Sequence, residues 1–198
     1  ANVDNLYGCV NDAYNVKSVL ERNGDGSINF DCKIITASSD RDKIERGNLK
    51  DNIKQLFFTK SETALLYFAG HGHFGSGGGY LLTSEAKRSD DGISLDEILL
   101  MANQSNATNK IIILDSCHSG IAGNPSMHDN KAFLSEGVTI LTASTSDQYA
   151  NEENGSGIFT NLLVDALSGS AAGNYTLTGL TGSMTITPKT ITIASPTI

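Results

Sequence analysis

Two short segments of the 198-residue chain carry reactive side chains directly after apolar runs. Ala64-Leu65-Leu66-Tyr67-Phe68-Ala69 leads into Gly70-His71-Gly72-His73, and Lys110-Ile111-Ile112-Ile113-Leu114 leads into Asp115-Ser116-Cys117-His118-Ser119-Gly120. A thiol is a strong nucleophile even when partly ionised, and a nearby imidazole supplies the proton that a departing amine needs. Gly70 and Gly72 flank His71 and Gly120 stands three residues after Cys117, which allows a ligand to approach the backbone closely. The amides of Gly72 and Cys117 are candidates for holding an oxyanion. The plainer alternative makes Cys117 a small buried hydrophobe and His71 a satisfied polar residue. The joint occurrence of two apolar runs, one leading into Gly-His-Gly and the other into Asp-Ser-Cys-His-Ser-Gly, favours nucleophilic catalysis. His71, His73, Cys117 and His118 also number enough ligands for zinc, but a zinc site explains neither the glycines nor the aspartates. Ser119 beside His118 lacks the separate base and orienting acid of a serine triad.

These residues need elements to position them. Asn11 or Asp12 can cap a helix with Val16, Val19 and Leu20 on its apolar side, ended by the turn Asn23-Gly24-Asp25-Gly26. Cys32 to Thr36 reads as a strand, and Leu49, Ile53, Leu56 and Phe57 share one face of a second helix. Ser94 and Glu97 form a capping box opening a helix from Leu95 to Ala102. Val138 to Leu141 is a third buried run. The last helix carries a wide stripe of Ile158, Phe159, Leu162, Leu163, Ala166 and Leu167. Gly75 to Gly79 reads as a flexible loop, lacking the Lys-Ser/Thr of a phosphate-binding loop. Continuous apolar strands between amphipathic helices indicate an α/β fold with a parallel sheet covered on both faces. Sites in such sheets lie beyond the carboxyl ends of the strands. His71, Cys117 and the segment Ala143 to Ser146, with Ser144 against the substrate groove, fall at that edge.

Composition narrows the function. Hydrophobic residues make up 39% and charged residues 18%, enough for a packed core. Fourteen Lys and Arg against 22 Asp and Glu give a formal charge of −8, which argues against a nucleic-acid partner. No apolar run reaches the roughly 18 residues of a membrane span. Three cysteines, Cys9, Cys32 and Cys117, suit neither a disulfide framework nor an all-cysteine zinc site. After Asp165 the only charged side chain is Lys189, and Thr-rich alternation such as Thr185-Ile186-Thr187 and Thr190-Ile191-Thr192-Ile193 argues for strands. The expected organisation is a domain over residues 1–170 and a Thr/Gly-rich, β-prone tail over 171–198. The chain opens at Ala1 without Met and reads as a fragment.

Tyr67-Phe68-Ala69-Gly70-His71-Gly72 and Leu114-Asp115-Ser116-Cys117-His118-Ser119-Gly120 resemble the two catalytic motifs of the caspase-like cysteine peptidases, more closely the metacaspase and bacterial orthocaspase branch. Leu6-Tyr7-Gly8-Cys9-Val10-Asn11-Asp12-Ala13, Ile93-Ser94-Leu95-Asp96-Glu97-Ile98 and Gly157-Ile158-Phe159-Thr160 are similar to further segments of that branch, so the resemblance spans about residues 6 to 170. It implies a caspase-like, mostly parallel sheet with helices on both faces. It implies His71 and Cys117 as a catalytic dyad. It places Asp12 and Asp115, with Cys9 beside them, in the pocket for the residue before the cut. Two carboxylates converging on one pocket would select Arg or Lys. Asp12 also fits a helix N-cap, and Asp115 a turn that caps the backbone.

Three departures stand out. Ala69 occupies a position where the family usually has a small hydroxyl residue. The first core strand, expected before Leu6, is missing. The tail replaces an acid-rich segment and is similar in composition to Gly/Thr-rich repeats of large bacterial surface proteins. The chemistry requires no cofactor. Calcium activation is common in the branch, but the ligand positions do not support it: Leu95 precedes Asp96, and the later position is Asn124. Glu21 to Cys32 is part of an EF-hand pattern without the Glu at position twelve. The implied partners are proteins or peptides with exposed Arg or Lys, including the chain itself at Lys87, Arg88 or Lys131. Family habit points to the cytoplasm and the tail composition to export. The alternative is an inactive caspase-like scaffold or binding module of a larger bacterial surface protein.

Overall fold

The computed structural model describes residues 8–39, 42–75, 78–87, 91–116, 134–143, 152–153, 155–169, 175–178 and 185–188. In chain order these form α1 (Gly8–Leu20), α2 (Arg46–Phe58), β1 (Thr63–Gly70), β2 (Gly72–Gly75), β3 (Gly78–Leu81), β4 (Ile93–Ser94), α3 (Leu95–Asn103), β5 (Asn109–Ser116), β6 (Val138–Thr142), β7 (Glu152–Glu153), β8 (Ser156–Gly157), α4 (Ile158–Ser168), β9 (Tyr175–Thr178) and β10 (Thr185–Pro188). The three continuous apolar runs make one parallel sheet in the order β1-β5-β6. Gly70 pairs with Ser116 and Ala69 with Asp115, so β1 and β5 end level with each other.

The sheet has two unlike faces, because alternate residues of a strand point to opposite sides. Ile112 and Leu114 of β5 join Ala64 of β1 in a core with Ile53 and Phe57 of α2 and Ile98 and Ala102 of α3; Leu66 and Phe68 pack against it. Phe57 and Leu114 are both fully excluded from water. The opposite face carries Tyr67 and Asp115 and meets α1 and α4. The chain is thus α/β, as the runs of apolar residues between amphipathic helices led us to expect.

Several elements differ in detail from the sequence reading. α1 starts at Gly8, before Asn11 and Asp12, so neither caps it; both side chains bond to the segment before α4 instead. Ser94 is the N-cap of α3 by position but its hydroxyl makes no capping bond, and Glu97 turns to Lys50 Nζ at 2.5 Å and Arg46 Nη2 at 3.8 Å. A pair of ammonium and guanidinium donors from α2 outcompetes one backbone amide for the carboxylate. Residues 32–36 alternate in burial as a strand would, yet no described strand pairs with them. Gly75 and Gly78 face each other as the closing pair of an antiparallel β2-β3 hairpin, so Gly75, Gly78 and Gly79 of the expected loop belong to a ladder that β4 extends, while 76–77 lie outside the described residues. The stripe on α4 is only partly covered: Leu162 is 65% and Ile158 40% exposed. The reason is rotational. Thr160 faces inward to bond with β1 and β5, and at 100° per residue Ile158 and Leu162 then lie on the far side.

Of the tail, β9 and β10 pair antiparallel, Thr185 opposite Thr178 and Pro188 opposite Tyr175. The alternating segment 190–193 lies outside the described residues. Asn23 to Ser27 form a tight turn in which Asp25 accepts the Ser27 N–H at 2.9 Å and its hydroxyl at 2.7 Å. Those bonds hold the Asp25 carboxyl below its usual range. No helix among the described residues is long and apolar enough to cross a membrane.

Candidate active site

The carboxyl-terminal edge of the sheet receives His71. His71 is the residue immediately after β1, and Gly72 opens β2. The turn from β1 into β2 is tied down by the His71 carbonyl, which accepts the Leu82 N–H at 2.9 Å, and by the Gly72–Leu81 pairing. Cys117 follows Ser116, the last residue of β5, and lies outside the described residues, as does Ser144. The chain heading toward Ser144 leaves β6 at the same edge, where the Ala143 N–H bonds to the Leu114 carbonyl at 2.9 Å.

Asp12 and Asp115 are separated by about a hundred residues and belong to a helix and a strand, yet the fold brings them together. Both are buried, at 2% and 6% exposure. Gly157 sits between them. Its N–H donates to both oxygens of Asp12, at 3.1 and 3.0 Å. A Cβ at Gly157 would run into Asp115 Oδ2 and stand 3.2 Å from Asp12 Oδ2. Only a residue without a side chain lets both carboxylates approach one point.

Hydroxyls complete the surroundings. Ser156 Oγ donates to Asp12 Oδ1 and also lies 2.9 Å from Asn161 Oδ1. Thr160 Oγ1 donates to Asp115 Oδ2 at 2.5 Å, and the Tyr67 hydroxyl lies 2.6 Å from the same Thr160 oxygen. Asn11 Nδ2 donates to the Gly155 carbonyl at 3.0 Å and fastens α1 to the residue just before β8, which carries Ser156 and Gly157. Asp12 and Asp115 therefore face the amino-terminal end of α4, where the helix macrodipole favours negative charge.

The electrostatics follow from burial. Loss of water pushes the Asp115 carboxyl up, the Thr160 hydroxyl opposes this, and the Asp12 charge adds to the rise. Burial also pushes the Tyr67 phenol upward, with Asp115, Asp12 and Cys9 contributing in the same direction, so Tyr67 stays a protonated donor. Cys9 stands one helical turn before Asp12 and belongs to the same cluster. A site that gathers two buried carboxylates and surrounds them with donors is built to hold negative charge at a fixed place. A cationic group entering it would gain charge-assisted hydrogen bonds.

The sequence reading named Asp12, Asp115 and Cys9, and the fold brings these three together. It did not assign roles to Ser156, Gly157, Thr160 or Tyr67. Gly157 and Thr160 lie in one segment similar to peptidase sequences and Tyr67 in another, and those similarities were the available signals for three of the four.

A search of curated proteins finds no match to the chain. The family model of the caspase domain, a peptidase family, matches residues 1–184. The matched span takes in the His71 and Cys117 motifs, the parallel sheet and the paired carboxylates, and the chain belongs to the caspase-domain family as a cysteine-type peptidase.

Proposed function

We propose that the chain is an endopeptidase that cuts after Arg or Lys, with Cys117 as nucleophile and His71 as its acid–base partner. The observation that carries this reading is the convergence of Asp12 and Asp115 beside the edge where β1 delivers His71. Neighbouring parallel strands lie about 4.8 Å apart, and Gly70 is level with Ser116. The two reactive residues follow directly in sequence, which supports a dyad. The Cys117 thiolate attacks the scissile carbonyl carbon, and the amides of Gly72 and Cys117 hold the oxyanion. His71 gives a proton to the departing amine as the C–N bond breaks. Water, deprotonated by His71, then hydrolyses the thioester and frees Cys117. The reaction as proposed requires no cofactor or metal ion.

The carboxylates select the residue before the cut. An Arg or Lys side chain offers donors to acceptors that are already held in place, whereas Asp would add a third negative charge. Ser144 is proposed to line the groove and Cys9 to flank the pocket. Lys87, Arg88 and Lys131 are proposed self-processing positions. The Lys87 N–H donates to the Asp91 carboxylate at 3.0 Å.

The test is cleavage of matched fluorogenic peptides ending in Arg, Lys or Asp, with and without calcium, by the protein and its Cys117→Ala variant. Cleavage after Arg or Lys that vanishes in the variant is the expected result. Cleavage confined to Asp peptides would overturn the pocket assignment, and activity surviving in Cys117→Ala would overturn the dyad. Mass spectrometry of the incubated protein reads self-processing, expected after Lys87, Arg88 or Lys131.

A further inference from the structure

Ala69 is the register partner of Asp115 on β1 and offers only a methyl group to it. The side-chain donor to Asp115 comes instead from α4, across 45 residues of chain, as the fully buried hydroxyl of Thr160. A hydroxyl has one hydrogen and two lone pairs. While Asp115 is ionised it can only accept, so Thr160 must spend its hydrogen on Asp115 and the 2.6 Å contact with Tyr67 must be donated by the phenol. The order is Tyr67 to Thr160 to Asp115, with each donation polarising the next. If Asp115 takes up a proton, the direction of the chain is no longer fixed.

We propose that Thr160 is a positioning residue of the basic pocket: its hydroxyl, oriented by Tyr67, fixes one oxygen of Asp115 and keeps that carboxylate charged for the substrate's cation. This inference rests on the Arg/Lys reading for its functional meaning. Among the described residues, the titratable groups acting on Asp115 are Asp12 on α1 and Tyr67 on β1, and Cys9 on α1 lies near Tyr67. α4 adds no acidic residue in its first turn, and Ser156 and Gly157 on β8 give their donors to Asp12. Thr160 thus opposes both the burial of Asp115 and its repulsion by Asp12.

The experiment pairs two readouts on Thr160→Val, Thr160→Ser and Tyr67→Phe. The first is carboxyl-carbon NMR titration of Asp115, which needs no substrate. The second is the pH profile of kcat/KM on an Arg peptide. Losing a hydrogen bond to a charged group should raise the Asp115 midpoint by about one pH unit in Thr160→Val, a tenfold change in proton affinity. The acid limb of the pH profile should move with it, and KM should rise more than kcat falls. Thr160→Ser should restore both values. Tyr67→Phe should shift them in the same direction by less. An unmoved Asp115 midpoint in folded Thr160→Val overturns the proposal; if that variant does not fold, an unmoved midpoint in Tyr67→Phe overturns it. A parent protein that cleaves neither Arg nor Lys peptides counts against the Arg/Lys reading, and the Asp115 midpoint alone then decides the role of Thr160.

Discussion

The two faces of the β1-β5-β6 sheet are built from alternate residues of the same strands and solve opposite problems. Toward α2 and α3, Leu114 and Ile112 meet Phe57, Ile53 and Ile98 in a hydrophobic core. Toward α1 and α4, Asp115 meets Asp12 across Gly157, Thr160 and Ser156 donate to the carboxylates, and Tyr67 bonds to the Thr160 hydroxyl. One face lowers the free energy of the fold by removing apolar area from water. The other holds like charges close together in a buried place, which works against stability. The contrast teaches that a strand can anchor a domain and strain a site at successive positions, with Leu114 and Asp115 as the adjacent pair.

Substitutions can break that contrast at chosen points. The largest effect is expected from Asp115→Asn, which should reduce kcat/KM on an Arg peptide by roughly a hundredfold or more, on the scale of losing one partner of a buried charge pair. A loss below threefold would sink the claim that this face serves binding. Leu114→Ala should act in the other currency, destabilising the fold by about 2–5 kcal/mol as read by urea denaturation, through transfer and cavity terms. Asp115→Asn losing more stability than Leu114→Ala would dissolve the distinction between the faces.

The third prediction concerns pH. Because burial raises the folded-state Asp115 carboxyl above its unfolded value near 3.8, the folded state holds the proton longer. Stability should therefore fall as pH rises from that value through the folded-state midpoint. Asp115→Asn removes this slope, so its denaturation midpoint should gain on that of the unmodified protein across the window; parallel curves would count against it. The smallest effect belongs to neither face. Lys17 Nζ and Glu21 Oε2 form an i,i+4 pair at 3.0 Å on the outside of α1, and Glu21→Gln should cost under about 0.5 kcal/mol.

Much of the apolar face was legible in the sequence. Uninterrupted runs such as Lys110 to Leu114 and the Leu49, Ile53, Leu56 and Phe57 spacing record the sheet and α2 directly, because burial on one side imposes a period on neighbouring residues. The polar face leaves no such period. Asp12 and Gly157 stand 145 residues apart, and Thr160 and Asp115 stand 45 apart. The pairing of Asp12 with Asp115 came from resemblance to a family, and Thr160 and Tyr67 were missed because a hydroxyl within an apolar stretch carries no sign of its distant partner. The β2-β3 hairpin was hidden for another reason: Gly72 to Gly79 holds too few β-branched residues to look like a ladder, and the backbone pairing supplies what composition does not.

The register of β5 against β1 has an evolutionary corollary. Ala69 stands beside Asp115 and Phe68 beside Leu114, and a side-chain period of two means that sliding β5 by one position would send the carboxylate into the hydrocarbon core and a leucine into the charged cluster. A single-codon insertion or deletion between Asn109 and Leu114 would thus cost the hydrophobic core and the pairing of Asp115 with Asp12 at one stroke. Lineages carrying this strand are expected to vary by substitution within it and to accept length changes only in the segments on either side.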